Sequence, residues 1–291
     1  MRSLLFVPGD DEKKIAKGLG SGADALILDL EDSVAASRKA IAREIVLNAL
    51  KAGGAPGQKL VVRVNALGSG LIEADLDGVV AGKPDAIMLP KCEGGVDLQH
   101  AASHIAVREA ENELPDGAIT IVAIATETPL AIFRLGSIPG ASRRLSGLTW
   151  GAEDLASAIG AETNRAGGLL TEPFRLARNL ALYAAHAAEV TAIDSVYTDF
   201  RNDAGLKAEC EEARRDGFTA KMAIHPAQVP VINAVFTPDV AALEHAKRVI
   251  QAFKDNPDAG VVGIDGKMID KPHLVQAERL MARAKAAGLG V

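Results

Sequence analysis

Acids and cations in this chain gather where apolar runs stop. "ALILDLEDSV" places Asp29, Glu31 and Asp32 directly after Leu26-Ile27-Leu28. "VVRVN" sets Arg63 behind two valines, "MLPK" ends on Lys91, "IATETP" holds Glu127 and "WGAEDLA" holds Asp154. Neighbouring carboxylates repel, and a buried guanidinium is costly without an anion, so each of these groups needs a partner. Two carboxylates with waters completing an oxygen shell suit a magnesium ion. Zinc would want His or Cys beside them. Glu127 is not required as a helix cap, because Thr128 can cap and Pro129 can fill the first turn. Asp154 is ambiguous, since it stands well placed to cap the "LASAIG" helix. Arg63 can pair structurally with Glu31 or Asp32 and still meet an anionic ligand. Lys91 could form the Schiff base of a metal-free aldolase, or be an ordinary paired or solvated lysine. Lys13 and Lys17, at i and i+4, could hold phosphates, although most such pairs are only a solvated face. His100 and His104 in "HAASH" have a metal-capable spacing but fall on an outer helix without the acid of a zinc protease.

Something must bring these scattered positions together. Eight apolar runs, "SLLFVP", "ALILDL", "KLVVRV", "AIMLP", "ITIVAIA", "LSGLTW", "IDSVYTD" and "KMAIH", alternate with helix-like segments. They are nearly all apolar instead of alternating, as parallel strands covered on both faces should be. Strict βα alternation over eight strands predicts a (β/α)8 TIM barrel of the α/β class, spanning residues 1–236. Its catalytic groups would project from the C-terminal strand ends, which is where the polar residues fall. Two further helices, "DVAALEHAKRVIQAFKDN" and "HLVQAERLMARAKAAGLG", joined by an ordered loop with Asp265 and Asp270, predict a C-terminal helical appendage over 237–291. "GLGSGA" fits a dinucleotide fingerprint formally, but it follows a helix and precedes a strand, the reverse of what that motif needs.

Composition narrows the function. The 291 residues are 48% hydrophobic but only 3% aromatic, so the core must be aliphatic. A net charge of −6 argues against nucleic-acid binding. No segment approaches the roughly 18 apolar residues of a membrane span. Two isolated cysteines, Cys92 and Cys210, suit a reducing compartment, and the chain reads as soluble and cytoplasmic.

In family order, "LLFVPGDDEKKIAK", "ALILDLEDSV", "VVRVN", "IMLPK", "IATETPLAI", "WGAEDLASAIGA", "DSVYTDFRN", "AKMAIHPAQV" and "GKMID" resemble the citrate lyase beta-subunit-like acyl-CoA lyases of the HpcH/HpaI aldolase superfamily. Within it, the chain is most similar to free-standing citramalyl-CoA and malyl-CoA lyases. The resemblance implies a magnesium-dependent carbon–carbon lyase, with manganese a substitute, that splits a 3-hydroxyacyl-CoA into acetyl-CoA and a 2-oxo acid. It implies Glu127 and Asp154 as metal ligands and Arg63 at the reacting carbonyl. Phe6, Lys13 and Lys17 would bind coenzyme A, and Ile224 and His225 would contact substrate. Asp270 would be the acid/base residue, reaching a neighbouring subunit's site in a homotrimer or hexamer. On that footing Asp29, Glu31 and Asp32 would surround the metal's waters and Arg63 as hydrogen-bond acceptors. The same resemblance leaves open a citrate lyase beta subunit acting on a carrier-protein thioester, a thioesterase and a malate-synthase-like activity. A non-enzymatic partner protein would need none of the acids at the strand ends.

Overall fold

Every residue of strand β2 (Ala25–Asp29) is buried, because helices cover one face of it and the barrel interior the other. A computed structural model of the chain describes residues 1–289. Around β2 stand β1 (Ser3–Pro8), β3 (Lys59–Arg63), β4 (Ala86–Leu89), β5 (Thr120–Ile124) and β6 (Leu145–Thr149). A small antiparallel ribbon follows, β7 (Arg165–Ala166) and β8 (Leu169–Leu170), and then β9 (Thr191–Asp194) and β10 (Ala220–Ala223). All but the ribbon pair in parallel, and β10 returns to β1, so the barrel closes. The predicted (β/α)8 fold is the observed one.

Helices α1 (Glu12–Leu19), α2 (Lys39–Ala52), α3 (Ile72–Val79), α4 (Gly95–Glu111), α5 (Pro129–Arg134), α6 (Ala152–Ile159), α7 (Glu172–Ala187), α8 (Asp203–Asp216) and α9 (Gln228–Phe236) accompany the strands. Alternate strand residues split into two cores. Leu4, Ala25, Ile27, Val61 and Met88 fill the barrel interior, while Leu26, Leu28, Val62 and Ile87 meet the helices. The inward series continues to the mouth: Phe6 after Leu4, Asp29 after Ile27, Arg63 after Val61. Period-two alternation therefore aims these three at one place.

The structure departs from the sequence reading in four places. β9 ends at Asp194, so Ser195–Asp199 is connecting loop and not strand; Asp194 faces away from the interior, held by Lys221, Arg178 and Trp150. α9 is a helix that the sequence reading does not name; its Pro230 stands in the first turn, where proline removes no intrahelical bond. The ribbon β7–β8 has strands of two residues, too short to show a period. The expected loop before Asp270 is a hairpin, β11 (Val261–Ile264) with β12 (Lys267–Asp270), turned by Asp265 at φ 53° and Gly266 at φ 75°. It joins α10 (Val240–Asp255) to α11 (Lys271–Ala286), and the appendage has its own small core around Val249, Phe253 and Ile269. Gly290, the last residue of the predicted final helix, lies outside the described residues. No described helix is long and apolar enough to cross a membrane.

Candidate active site

β2 and β3 pair with Asp29 directly opposite Arg63. Arg63 Nε and Nη2 each donate to the Asp29 carboxylate at 2.7 Å, and Nη1 lies 3.1 Å from Glu31 Oε2. The guanidinium carbon sits 4.7 Å over the Phe6 ring, an arrangement that favours a cation. Burial pushes Asp29 up, but the hydrogen bonds and charge of Arg63 outweigh it and hold the carboxyl below its ordinary value. Asp29 also accepts the backbone N–H groups of Glu31 and Ser33. The expected pairing of Arg63 with Glu31 or Asp32 is thus corrected: Asp29 is the main partner, Glu31 the second. Asp32 is 59% exposed and reaches only Lys91, at 3.7 Å.

Glu127 lies three residues beyond β5 and is 3% exposed. It accepts the backbone N–H of Lys91. It fits there because Gly151 has no side chain: a Cβ on Gly151 would stand 2.6 Å from Glu127 Cγ. Burial pushes the Glu127 carboxyl up to about 8 against the Lys91 N–H, with the charges of Asp154 and Glu31 adding to the rise. Asp154 does not cap its helix. α6 begins at Ala152 behind Gly151, which puts Asp154 in the first turn, with its carboxylate 3.6 Å from Lys91 Nζ. Lys91 Nζ donates to Glu31 at 2.6 Å. Burial works against its charge, yet Glu31, Asp32 and Asp154 together hold the ammonium above its ordinary pKa. A Schiff-base lysine needs the free amine, so these surroundings oppose the metal-free aldolase alternative.

The donors present fit a hard divalent cation. They are all carboxylate oxygen, and Glu127, pressed toward its neutral form by burial and by Asp154, would gain from a positive charge between them. No group of three or more His, Cys, Asp or Glu among the described residues could form a complete cage, so the other positions would fall to water or to ligand.

Two hollows adjoin this centre. One, of about 310 Å³, is lined by Phe6, Lys14, Lys17, Ile224, His225 and Pro226 among others; the His225 ring stacks on Phe200 at 4.9 Å. The other, of about 650 Å³, is bounded by Glu31, Asp32, Asn65, Ser69, Lys91 and Thr128 among others. Arg63 touches a wall of each, through Phe6 and through Glu31. Lys14, not the expected Lys13, joins Lys17 at the first hollow. Gly18 of α1 stands against Val7, and at 100° per residue Lys14 lies about 40° from it and Lys13 about 140°. That face was readable in the sequence. Lys39 was not: its ammonium bonds the carbonyls of Leu30 and Glu31 and the Asn65 side chain, and no spacing marks it.

Other candidates stand apart. His104 pairs with Glu73 between outer helices. Asp270 caps α11, where it meets His273. His273 borders a hollow with His186 and Gly217, at the opposite end of the barrel where α7 and α8 finish. One chain therefore does not bring its own Asp270 to its own Arg63.

Known proteins share this architecture. The family model described as HpcH/HpaI aldolase/citrate lyase matches residues 2–226. Over 291 aligned residues the chain is 36% identical to the (3S)-malyl-CoA thioesterase of Cereibacter sphaeroides, covering 98% of this chain and 95% of that one. It is 34% identical to the mitochondrial citramalyl-CoA lyase of Rattus norvegicus, covering 97% and 86%. The solved structure of protein CitE from Mycobacterium tuberculosis, in complex with magnesium, acetoacetate and coenzyme A, matches with a TM-score of 0.77 at 31% identity, covering 98% of each chain. By sequence and by fold, the chain belongs to the HpcH/HpaI aldolase/citrate lyase family.

Proposed function

We propose that this protein is a magnesium-dependent carbon–carbon lyase. It cleaves a 3-hydroxyacyl-CoA of the citramalyl-CoA or malyl-CoA type into acetyl-CoA and a 2-oxo acid. The observation that carries this reading is Arg63, held against Phe6 of one hollow and Glu31 of the other and linked through Glu31 and Lys91 to the Glu127–Asp154 pair. Glu127 and Asp154 would hold magnesium or manganese, which when bound supplies a Lewis acid for the hydroxy-acid end of the substrate. Lys14 and Lys17 offer ammonium groups to the phosphates of coenzyme A, with Lys13 further out, while Phe6, Ile224 and His225 form the less polar wall. That the similar CitE structure holds coenzyme A supports a coenzyme A ester as the substrate.

Arg63 presents N–H donors where negative charge collects on the thioester oxygen. As the substrate hydroxyl passes its proton to the carboxylate of a neighbouring subunit's Asp270, its C–O bond becomes the carbonyl of the oxo acid. The carbon–carbon bond breaks, and its electron pair passes into the thioester enolate. Asp270 of a neighbouring subunit delivers the proton that turns this enolate into an acetyl group. Asp29 and Glu31 keep Arg63 in place, and Asp32 faces solvent at the rim. A reducing cytoplasm suits the two buried thiols, Cys92 and Cys210.

The test is direct. Purified protein is incubated with citramalyl-CoA and malyl-CoA, with and without magnesium, and acetyl-CoA, oxo acid and free coenzyme A are followed. Acetyl-CoA and oxo acid appearing together, only with magnesium, establish the lyase and rank the substrates. Free coenzyme A with intact hydroxy acid would make the protein a thioesterase, the activity named for the Cereibacter relative. Absence of turnover in folded, magnesium-binding protein would point to a thioester carried on a partner protein.

A further inference from the structure

Lys91 is tied to four acids around the mouth, Glu127, Glu31, Asp154 and Asp32. Its backbone N–H is given to Glu127, and its Nζ lies 2.6 Å from Glu31, 3.6 Å from Asp154 and 3.7 Å from Asp32. Its backbone takes φ 51°, a left-handed conformation that is costly for a residue with a Cβ and persists only when its surroundings impose it. Here the bond from its N–H to Glu127 fixes the turn, and the turn sends the side chain back across the mouth. The ammonium then stands 3.6 Å from Asp154, one of the two carboxylates that a cation shared with Glu127 would need.

We infer that Lys91 is the resident counter-cation of the metal site. It is a positioning residue that screens Glu31, Asp32 and Asp154 from one another before the metal arrives and releases Asp154 when it binds. This rests on the reading of Glu127 and Asp154 as metal ligands. Two consequences have definite sign. The ammonium competes with the cation, so removing its charge tightens metal binding. Without it the carboxylates repel, so the metal-free fold becomes less stable. A lysine that only braced the ligands would act oppositely on affinity, because its loss would scatter the carboxylates.

The experiment titrates the full-length wild type and the Lys91→Met, Lys91→Gln and Lys91→Arg variants with magnesium chloride. Kd is read by calorimetry and Tm without metal. Met and Gln meet the same backbone requirement as Lys, so the turn is not put under new strain. The expected result is about tenfold tighter binding in the Met and Gln variants, from loss of one like charge at short range. Their metal-free Tm should fall, and saturating magnesium should raise it by more than in wild type. Lys91→Arg should stay near wild type. Equal or weaker binding in the Met and Gln variants overturns the inference. Glu127→Gln in the wild-type background separates the two levels: if magnesium still binds undiminished, the metal reading itself is wrong. A magnesium-loaded crystal of the wild type needs no variant. Lys91 Nζ should then stand beyond roughly 4 Å, the limit of an ion pair, from Asp154; a retained contact overturns the exchange.

Discussion

Arg63 spends one edge of its guanidinium on Asp29 and still meets Phe6 and Glu31, which line the two hollows. Lysine would keep the charge but not the fork that satisfies Asp29 at two oxygens. Arg63→Lys is therefore expected to lower kcat by about a hundred- to a thousandfold, as loss of an oxyanion donor does. Magnesium affinity, read by calorimetry, should hardly move. A fully active Arg63→Lys enzyme would take Arg63 out of the chemistry. Alanine is the poorer probe, because it strands a buried carboxylate at a cost of about 3–5 kcal/mol. Glu127 yields a pH prediction. Its carboxyl is raised from 4.5 to about 8 in the fold, so the metal-free protein favours the protonated form. That stabilisation is complete below the unfolded value and is lost as pH rises through the folded one. A cation needs the carboxylate, so magnesium binding below about 8 must expel a proton. The magnesium Kd should fall as pH goes from about 6.5 to about 8.5, and the Tm gain from saturating magnesium should grow over the same window. A Kd flat across that range would remove the raised carboxyl from the metal site.

The turn between β6 and α6 is where an element, more than a side chain, sets the site. Gly151 has φ −121°, which alanine adopts freely, so only contact opposes a methyl group there. Gly151→Ala should press on Glu127 Cγ, cost about 1–3 kcal/mol of stability as overpacking does, and weaken magnesium binding. Unchanged binding would mean that Glu127 can shift without losing the metal. The same turn shows what a sequence can and cannot tell. Strands buried on both faces read as apolar runs, and alternation within them already points Phe6, Asp29 and Arg63 inward. That Asp29 meets Arg63 could not be read, because register between neighbouring strands is set by how the whole barrel staggers. Asp154 was ambiguous because capping and ligand chemistry favour the same residue at a helix start; only the observed start at Ala152 separates them. The Asp265-Gly266 turn is legible in the sequence, since Asp-Gly between short apolar runs is a strong hairpin signal. Lys39 left no trace, because its contacts are to backbone carbonyls of a loop that exists only once the barrel has closed.

At the scale of the molecule the question is where Asp270 acts. It closes the hairpin of an appendage with its own core, at the barrel end opposite Arg63. On that hairpin Met268 is 69% and Val261 51% exposed, which is apolar surface suited to cover by a second copy. If Asp270 serves a neighbour, Asp270→Ala should still bind magnesium and coenzyme A ester yet give no acetyl-CoA, and mixing should distinguish shared from private sites. Asp270→Ala and Arg63→Lys chains, differently tagged and co-expressed, would be purified as mixed oligomers through both tags. In the mixed oligomers, about a third of the sites of a trimer, or about a quarter of those of a hexamer, would combine an intact Arg63 with an intact Asp270 from the next subunit. Activity in the mixed oligomers should then rise well above either parent. If each chain completed its own site, every site would carry one lesion, and mixing would return no more than the parents' average. The rise, or its absence, is thus a measurement of chain connectivity across the site, and it does not depend on which acyl-CoA proves to be the best substrate.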